Sequence, residues 1–327
     1  MQPQTYEICS DPLGNGKKSQ VYKIKEKNQP HSILIAKIYD SRRRKYYEKE
    51  KRILLKISNA NDVQITDYLI HIKNINARLE TSTQFQADSS LLTFDFLFHG
   101  NILDYISLKA FGKPMIELYT KLLCYKLLLG LKKIHENNIS HNRLDIKNIM
   151  FDESFNPIII HFGDAIVSEN HQNDFFGLGM ILAEILSSKQ IISYKFNKKM
   201  NKYMFKFYST NNHFHESTCE ETVFWRILEI NKNIKISKEF IDFFHILVSP
   251  DKILYASDLL NNEWLNDAKF YQKEIEKNFR EEFKINYSYL LQSKKLLNSF
   301  KNNLNAIINL GEMNEELNLN DLMDEVI

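Results

Sequence analysis

Two kinds of hydrophobic pattern divide the chain. Over the first hundred residues, short apolar segments are separated by polar turns. YEI and VYKI flank the glycine-bearing stretch LGNGKKSQ, SILIAKIY follows around Lys37, and SLLTFDFL comes later. That pattern predicts a hairpin and two further strands. From Ser41 the period changes, and Tyr47, Ile53, Leu54 and Ile57 share one face of a predicted helix. Residues 59–86 carry no clear period.

After His99 the pattern is mainly helical. PMIELYTKLLCYKLLLGLKKIHE predicts a long helix with one apolar face and Pro114 in its first turn. FFGLGMILAEILSS is apolar nearly all round, as a buried helix is, and is too short to span a bilayer, which takes about 20 residues. KEFIDFFHILV and YASDLLNNEWL predict two amphipathic helices. Beyond Trp264 the chain is charged, with an apolar stripe at helical steps: Ile275, Phe279, Phe283, Tyr287, Leu290 and Leu291, continuing to Ile308. The final stretch, GEMNEELNLNDLMDEVI, is acidic and carries Leu317, Leu319, Leu322 and Met323.

Composition narrows the classes. The 327 residues include 43 basic and 41 acidic side chains, a formal charge of +2, so a basic nucleic-acid binder is excluded as the organising theme. Cys9, Cys124 and Cys219 are too few and too scattered for a disulfide framework. No signal-peptide core or membrane span is visible. The expectation is an intracellular protein, cytoplasmic or cytoskeleton-associated, neither secreted nor inserted in a membrane. His213, His215 and Cys219 lie close together but lack an evident fourth metal ligand, which reads as a surface loop. The run Arg42-Arg43-Arg44-Lys45 reads as a solvated helix start.

Gly14-Asn15-Gly16 alone says little, because many hairpins carry such a turn. Its context says more. An apolar strand carries Ala36-Lys37 downstream, and Glu50 follows on a helix 13 residues after Lys37. Further on come IHENNISHNRLDIKNIMFD, IIIHFGD, DFFGLGMILAEIL and SPDKILYASDLLNNEWL. In this order they resemble the glycine loop, strand lysine, helix glutamate, catalytic loop, D-F-G segment and large-lobe helices of protein kinases. The chain is identified as a degenerate member of the protein-kinase-like superfamily, a pseudokinase. The resemblance covers roughly residues 6–265. It implies an α+β, two-lobed fold: a small β-rich lobe over 1–97, a large helical lobe over 98–265, and a helical extension over 266–327.

The departures carry the functional argument. Where the family writes H-R-D this chain has His141-Asn142-Arg143, and a guanidinium, always protonated, cannot accept a proton. The D-F-G aspartate, a magnesium ligand, is His161, and magnesium wants hard oxygen donors. Asp145-Ile146-Lys147 would restore a base only if the loop were locally shifted. Only 13 positions separate His161 from Asp174, with no A-P-E between them, and Ile253 stands where the family pairs an arginine with that glutamate. No catalytic residue is assigned.

By the same resemblance, Gly14, Gly16, Val21, Ala36, Lys37, Glu50, Asp95, Leu97, Asn148 and Met150 fall at nucleotide-binding positions, as a vestigial or weak site. Leu54, His141 and Phe162 fall where the family stacks its lobes, Ser19 replaces the third loop glycine, and Asn101 replaces an acidic ribose contact. No cofactor is required on this reading, and ATP binding is expected to be weak and independent of magnesium. The expected function is that of a scaffold or structural subunit in a larger protein complex, contacted through residues 266–327. An atypical active kinase and a nucleotide-sensing switch are the alternatives.

Overall fold

The computed structural model describes residues 5–26, 29–58, 68–75, 78–79, 89–107, 117–187, 192–197, 202–207, 215–217, 236–249, 253–285, 287–288 and 291–292. The first lobe is a twisted sheet with one principal helix. Its strands are β1 (Thr5–Ile8), β2 (Gly14–Asn15), β3 (Gln20–Glu26), β4 (Gln29–Tyr39), β5 (Ile72–Asn74), β6 (Arg78–Leu79) and β7 (Ser90–Asp95). They run in the order β5-β7-β4-β3-β1-β6, with β2 paired to β3. The predicted hairpin is present, with Gly14 opposite Val21 and Val21 opposite Lys37. Helix α1 (Arg44–Ser58) buries Tyr47, Glu50, Ile53, Leu54 and Ile57, the predicted face with a carboxylate added. Asp40 opens the preceding turn by accepting from the Arg43 amide.

The second lobe is built on α2 (Ile102–Ser107), α3 (Glu117–Glu136) and α4 (Gln172–Ser187). Described positions of α4 are buried on almost every side, as its apolar sequence requires. A Cβ on Gly179 would lie 3.0 Å from Val248 Cγ1, so glycine allows the close approach of the helix Lys238–Val248. The Glu117 carboxylate joins three segments, accepting from the Ser237 amide at 3.0 Å and from the Trp264 indole at 2.8 Å. Two expectations need revision. YASDLLNNEWL forms a single helical turn, Ala256–Leu259, and a 3-10 turn, Glu263–Leu265, because Asn262 caps the latter rather than continuing a helix. Three strands, Ile192–Asn197, Lys202–Phe207 and His215–Ser217, form a small antiparallel sheet that the pattern did not announce.

The extension beyond Trp264 is not a separate layer in its first part. A helix over 272–285 buries Ile275, Phe279 and Phe283 within the same hydrophobic core as α1, α3 and α4. Phe279 packs edge-on against Tyr119 at 5.3 Å, and Phe283 against Phe151 at 5.1 Å. The Tyr287 hydroxyl donates to the Phe98 carbonyl at 2.9 Å. Lys126, only 2% exposed, meets Glu276 at 2.7 Å and donates to Asn156 Oδ1 at 2.6 Å. Burial lowers the Lys126 ammonium pKa, and Glu276 works against that shift. These aromatic and charged contacts make residues 266–287 part of the large lobe, so this half of the stripe is not free for a partner. Pro114, His213, Cys219 and residues 293–327 lie outside the described residues. Among the described residues, no helix is long and apolar enough to cross a membrane.

Candidate functional site

A cleft of about 290 Å³ opens between the lobes. Leu13, Val21 and Ile35 line it from the sheet, Asp95, Phe96 and Leu97 from the segment joining the lobes, and Met150 and Ile160 from the large lobe. Lys37, Glu50 and His161 close one end, with Phe94 and Ile70 alongside. Val21, Lys37, Glu50, Asp95, Leu97 and Met150 are therefore brought together at one cleft, whereas Gly14, Gly16, Ala36 and Asn148 are not among its lining residues. Successive strand side chains alternate between faces, so Lys37 and Ile35 face the cleft while Ala36 is buried with Tyr6, Tyr22, Ile24 and Leu91. The cleft-facing position is thus the bulkier Ile35, which period-two counting back from Lys37 could have found. Asn101 serves the fold instead: its side chain accepts from the Asp104 amide, and its own amide donates back to Asp104.

At the inner end, Lys37 Nζ donates to both oxygens of Glu50, at 2.8 and 2.7 Å, and both side chains are buried. Tyr39 adds a third donor at 2.6 Å to Glu50 Oε2. Burial, then the Glu50 charge, pushes the Tyr39 phenol far above its usual range, so it remains a donor. The 3-10 turn Phe162–Asp164 passes directly beneath this pair, and a Cβ on Gly163 would sit 3.0 Å from Glu50 Oε2. Phe162 is fully buried, with the His141 ring edge-on at 5.0 Å, in the core that includes Leu54.

The catalytic-loop register is defined by three contacts. The buried Asp174 carboxylate accepts from the amides of His141 at 2.8 Å and Asn142 at 2.7 Å, and from His135 Nε2 at 2.9 Å. Burial opposes its ionisation, but His135 and the other donors hold its pKa below the usual value. His141 Nε2 donates to the Ile160 carbonyl, and Asn148 Nδ2 donates to the Arg143 carbonyl at 2.9 Å. This is the unshifted register. Asp145 is used locally, its Oδ1 accepting from the Lys147 and Asn148 amides at 2.9 and 3.1 Å.

Beside His161, at the inner end of the cleft, stand Arg143 and Asp164, a residue that the sequence reading passed over. Asp164 Oδ1 accepts from Lys18 and Oδ2 accepts from Arg143 at 3.1 Å, with His161 Nε2 3.7 Å away. Burial works against the Asp164 charge, but hydrogen bonds from Lys18 and Arg143 hold the carboxyl well below its usual range. Burial, with Lys37 nearby, lowers His161 to about 4, so the imidazole is neutral at neutral pH. Its backbone is left-handed, with φ of 71°. A guanidinium, a neutral imidazole and a carboxylate engaged on both oxygens do not form the hard oxygen cage magnesium needs. The residues present do not fit the metal.

Elsewhere among the described residues, the potential ligand atoms of His135, His171 and Asp174 converge within 4.8 Å. The two imidazoles are stacked at 3.9 Å and 8°, and Asp174 already accepts three hydrogen bonds, so the group reads as packing. Comparison with known proteins bears on the family. The meiosis-specific serine/threonine-protein kinase mek1 of Schizosaccharomyces pombe is 27% identical over 169 residues, covering 50% of this chain and 34% of that protein. The chain therefore spans about a third of that relative's length. The family model described as the protein kinase domain matches residues 8–173, from the glycine hairpin through the catalytic loop, and the chain belongs to that family.

Proposed function

We propose that this kinase-family domain is catalytically silent and works by binding, as a scaffold or structural subunit of a larger protein assembly. One observation carries the proposal: the Asn148 contact holds the loop in the register where Arg143, not Asp145, occupies the base position. Phosphoryl transfer depends on orienting the nucleophile and neutralising phosphate charge. A guanidinium can do neither the proton acceptance nor the metal binding that this requires. The relative's printed name describes a serine/threonine-protein kinase, and its activity is carried over only as the competing reading. The chain beyond residue 292, with its acidic, leucine-bearing end, is the segment proposed to meet a partner.

The test is transfer from radiolabelled ATP with magnesium or manganese to generic substrates. The expected result is no label above a Lys37→Ala control. Turnover that disappears in Asp145→Asn would overturn the silent reading and favour an atypical kinase.

A further inference from the structure

Two cations from opposite lobes converge on one carboxylate beside His161, which lines the inner end of the cleft. Lys18 comes from the turn joining β2 and β3, and Arg143 from the catalytic loop, while Asp164 lies between them. We infer that Lys18 and Arg143 form an anion site for the terminal phosphates of a metal-free polyphosphate ligand, and that the Asp164 carboxylate fills this site as an internal competitor. The inference rests on the silent, metal-free reading above and deepens it by naming the group that controls access.

Three observations support it. The first is charge. A phosphate facing two carboxylates needs a divalent cation between them, whereas one facing a guanidinium and an ammonium has its counter-charges built in. His161 adds no charge that would favour a metal. The second is strength. The side chains of Lys18, Arg143 and Asp164 are 40%, 57% and 24% exposed. Ion pairs so open to water hold weakly and are screened by salt, so a multiply charged phosphate chain can displace one carboxylate. The third is position. Lys37 is held by Glu50 in a buried pair, whereas Lys18 and Arg143, the latter also 3.9 Å from Asp145, sit in pairs open to water and to exchange. While Asp164 holds Lys18, the glycine turn is tied to the large lobe across the cleft.

The test uses the full chain in EDTA, titrated with ATP, adenosine and inorganic tripolyphosphate and followed by calorimetry. Asp164→Asn should bind ATP and tripolyphosphate roughly three- to tenfold more tightly than wild type, with adenosine unchanged. Adding Arg143→Gln to that variant should abolish the gain. Asp164→Ala provides the same reading should the amide variant fail to fold. Equal affinities in wild type and both Asp164 variants would overturn the proposal. So would a gain shared by adenosine, an affinity raised by magnesium in wild type, or no binding by any variant. Phosphotransfer is read separately: turnover would contradict the silent reading, whereas these affinities judge the Asp164 site.

Discussion

The side-chain amide of Asn148 donates to the carbonyl oxygen of Arg143 at 2.9 Å. That contact spans five residues and, with Asp174 gripping the amides of His141 and Asn142, leaves no slack for a two-residue slip. The consequence is chemical. The base position presents a cation, and the metal position presents the neutral imidazole of His161.

Restoring both carboxylates should therefore restore metal dependence. In wild type, thermal stabilisation by ATP should be the same with magnesium as with EDTA. In an Arg143→Asp, His161→Asp double variant, magnesium should add a further shift of about 2 °C or more, because ligand affinity for the folded state appears as stability. A wild-type shift that already requires magnesium would count against the assignment of these two positions.

Gly163 is required by proximity rather than by a turn. An added Cβ would lie 3.0 Å from Glu50 Oε2 and 3.5 Å from Lys37 Nζ, whereas one on Gly14 would meet nothing nearer than 3.9 Å. Gly163→Ala should cost about 1–3 kcal/mol in urea unfolding, as overpacking does, and Gly14→Ala much less. Similar losses at the two positions would show that the ion pair can move aside.

Stability should also fall on mild acidification. Burial, then the stacked His135, lowers His171 to about 4 from its usual 6.5. Ser140 and Asp174 are its other polar neighbours in this cluster. Between pH 6.5 and 4 the unfolded chain takes up a proton that folded His171 resists, so stability is full above 6.5 and declines towards 4. His161 acts in the same direction. At about 1.4 kcal/mol per pKa unit the His171 shift corresponds to about 3.5 kcal/mol at most, and solvent screening reduces this to roughly 2–3 kcal/mol. His171→Gln should flatten the slope in denaturant melts across this window, and an unchanged slope would place the titration elsewhere.

The residues that were legible from sequence are those whose role follows from spacing. Lys37 and Glu50 are 13 positions apart, on a strand and a helix, and they meet as a buried pair. Leu54 and Phe162 were apolar at stacking positions, and both are buried in one core. Ala36 was misplaced because its name matched while its strand parity did not. Asp164 was invisible for a different reason: its meaning depends on Lys18, 146 residues away, and no local pattern records that meeting. The same holds for Lys126, which looks like a solvated helix charge until Glu276 arrives from the far end of the chain.

Lys126 also supplies the sharpest test of the extension. Its ammonium is buried on α3, held by Asn156 and by Glu276 from the helix over 272–285. Removing one partner of a buried ion pair typically costs 3–5 kcal/mol, because the other charge is left without compensation. Glu276→Ala should approach the lower end of that range, since Glu276 is partly exposed and Asn156 remains. Phe279→Ala should cost about 3–5 kcal/mol through the cavity left against Tyr119. Truncation then separates the two halves of the extension. A chain ending at residue 265 loses Ile275, Phe279 and Phe283 from the core and should unfold or aggregate on expression. A chain ending at residue 292 keeps all three, together with Tyr287, and should melt within a few degrees of the full-length protein. If the shorter chain is equally stable, the aromatic contacts on Tyr119 and Phe151 contribute little, and the whole extension becomes available to a partner.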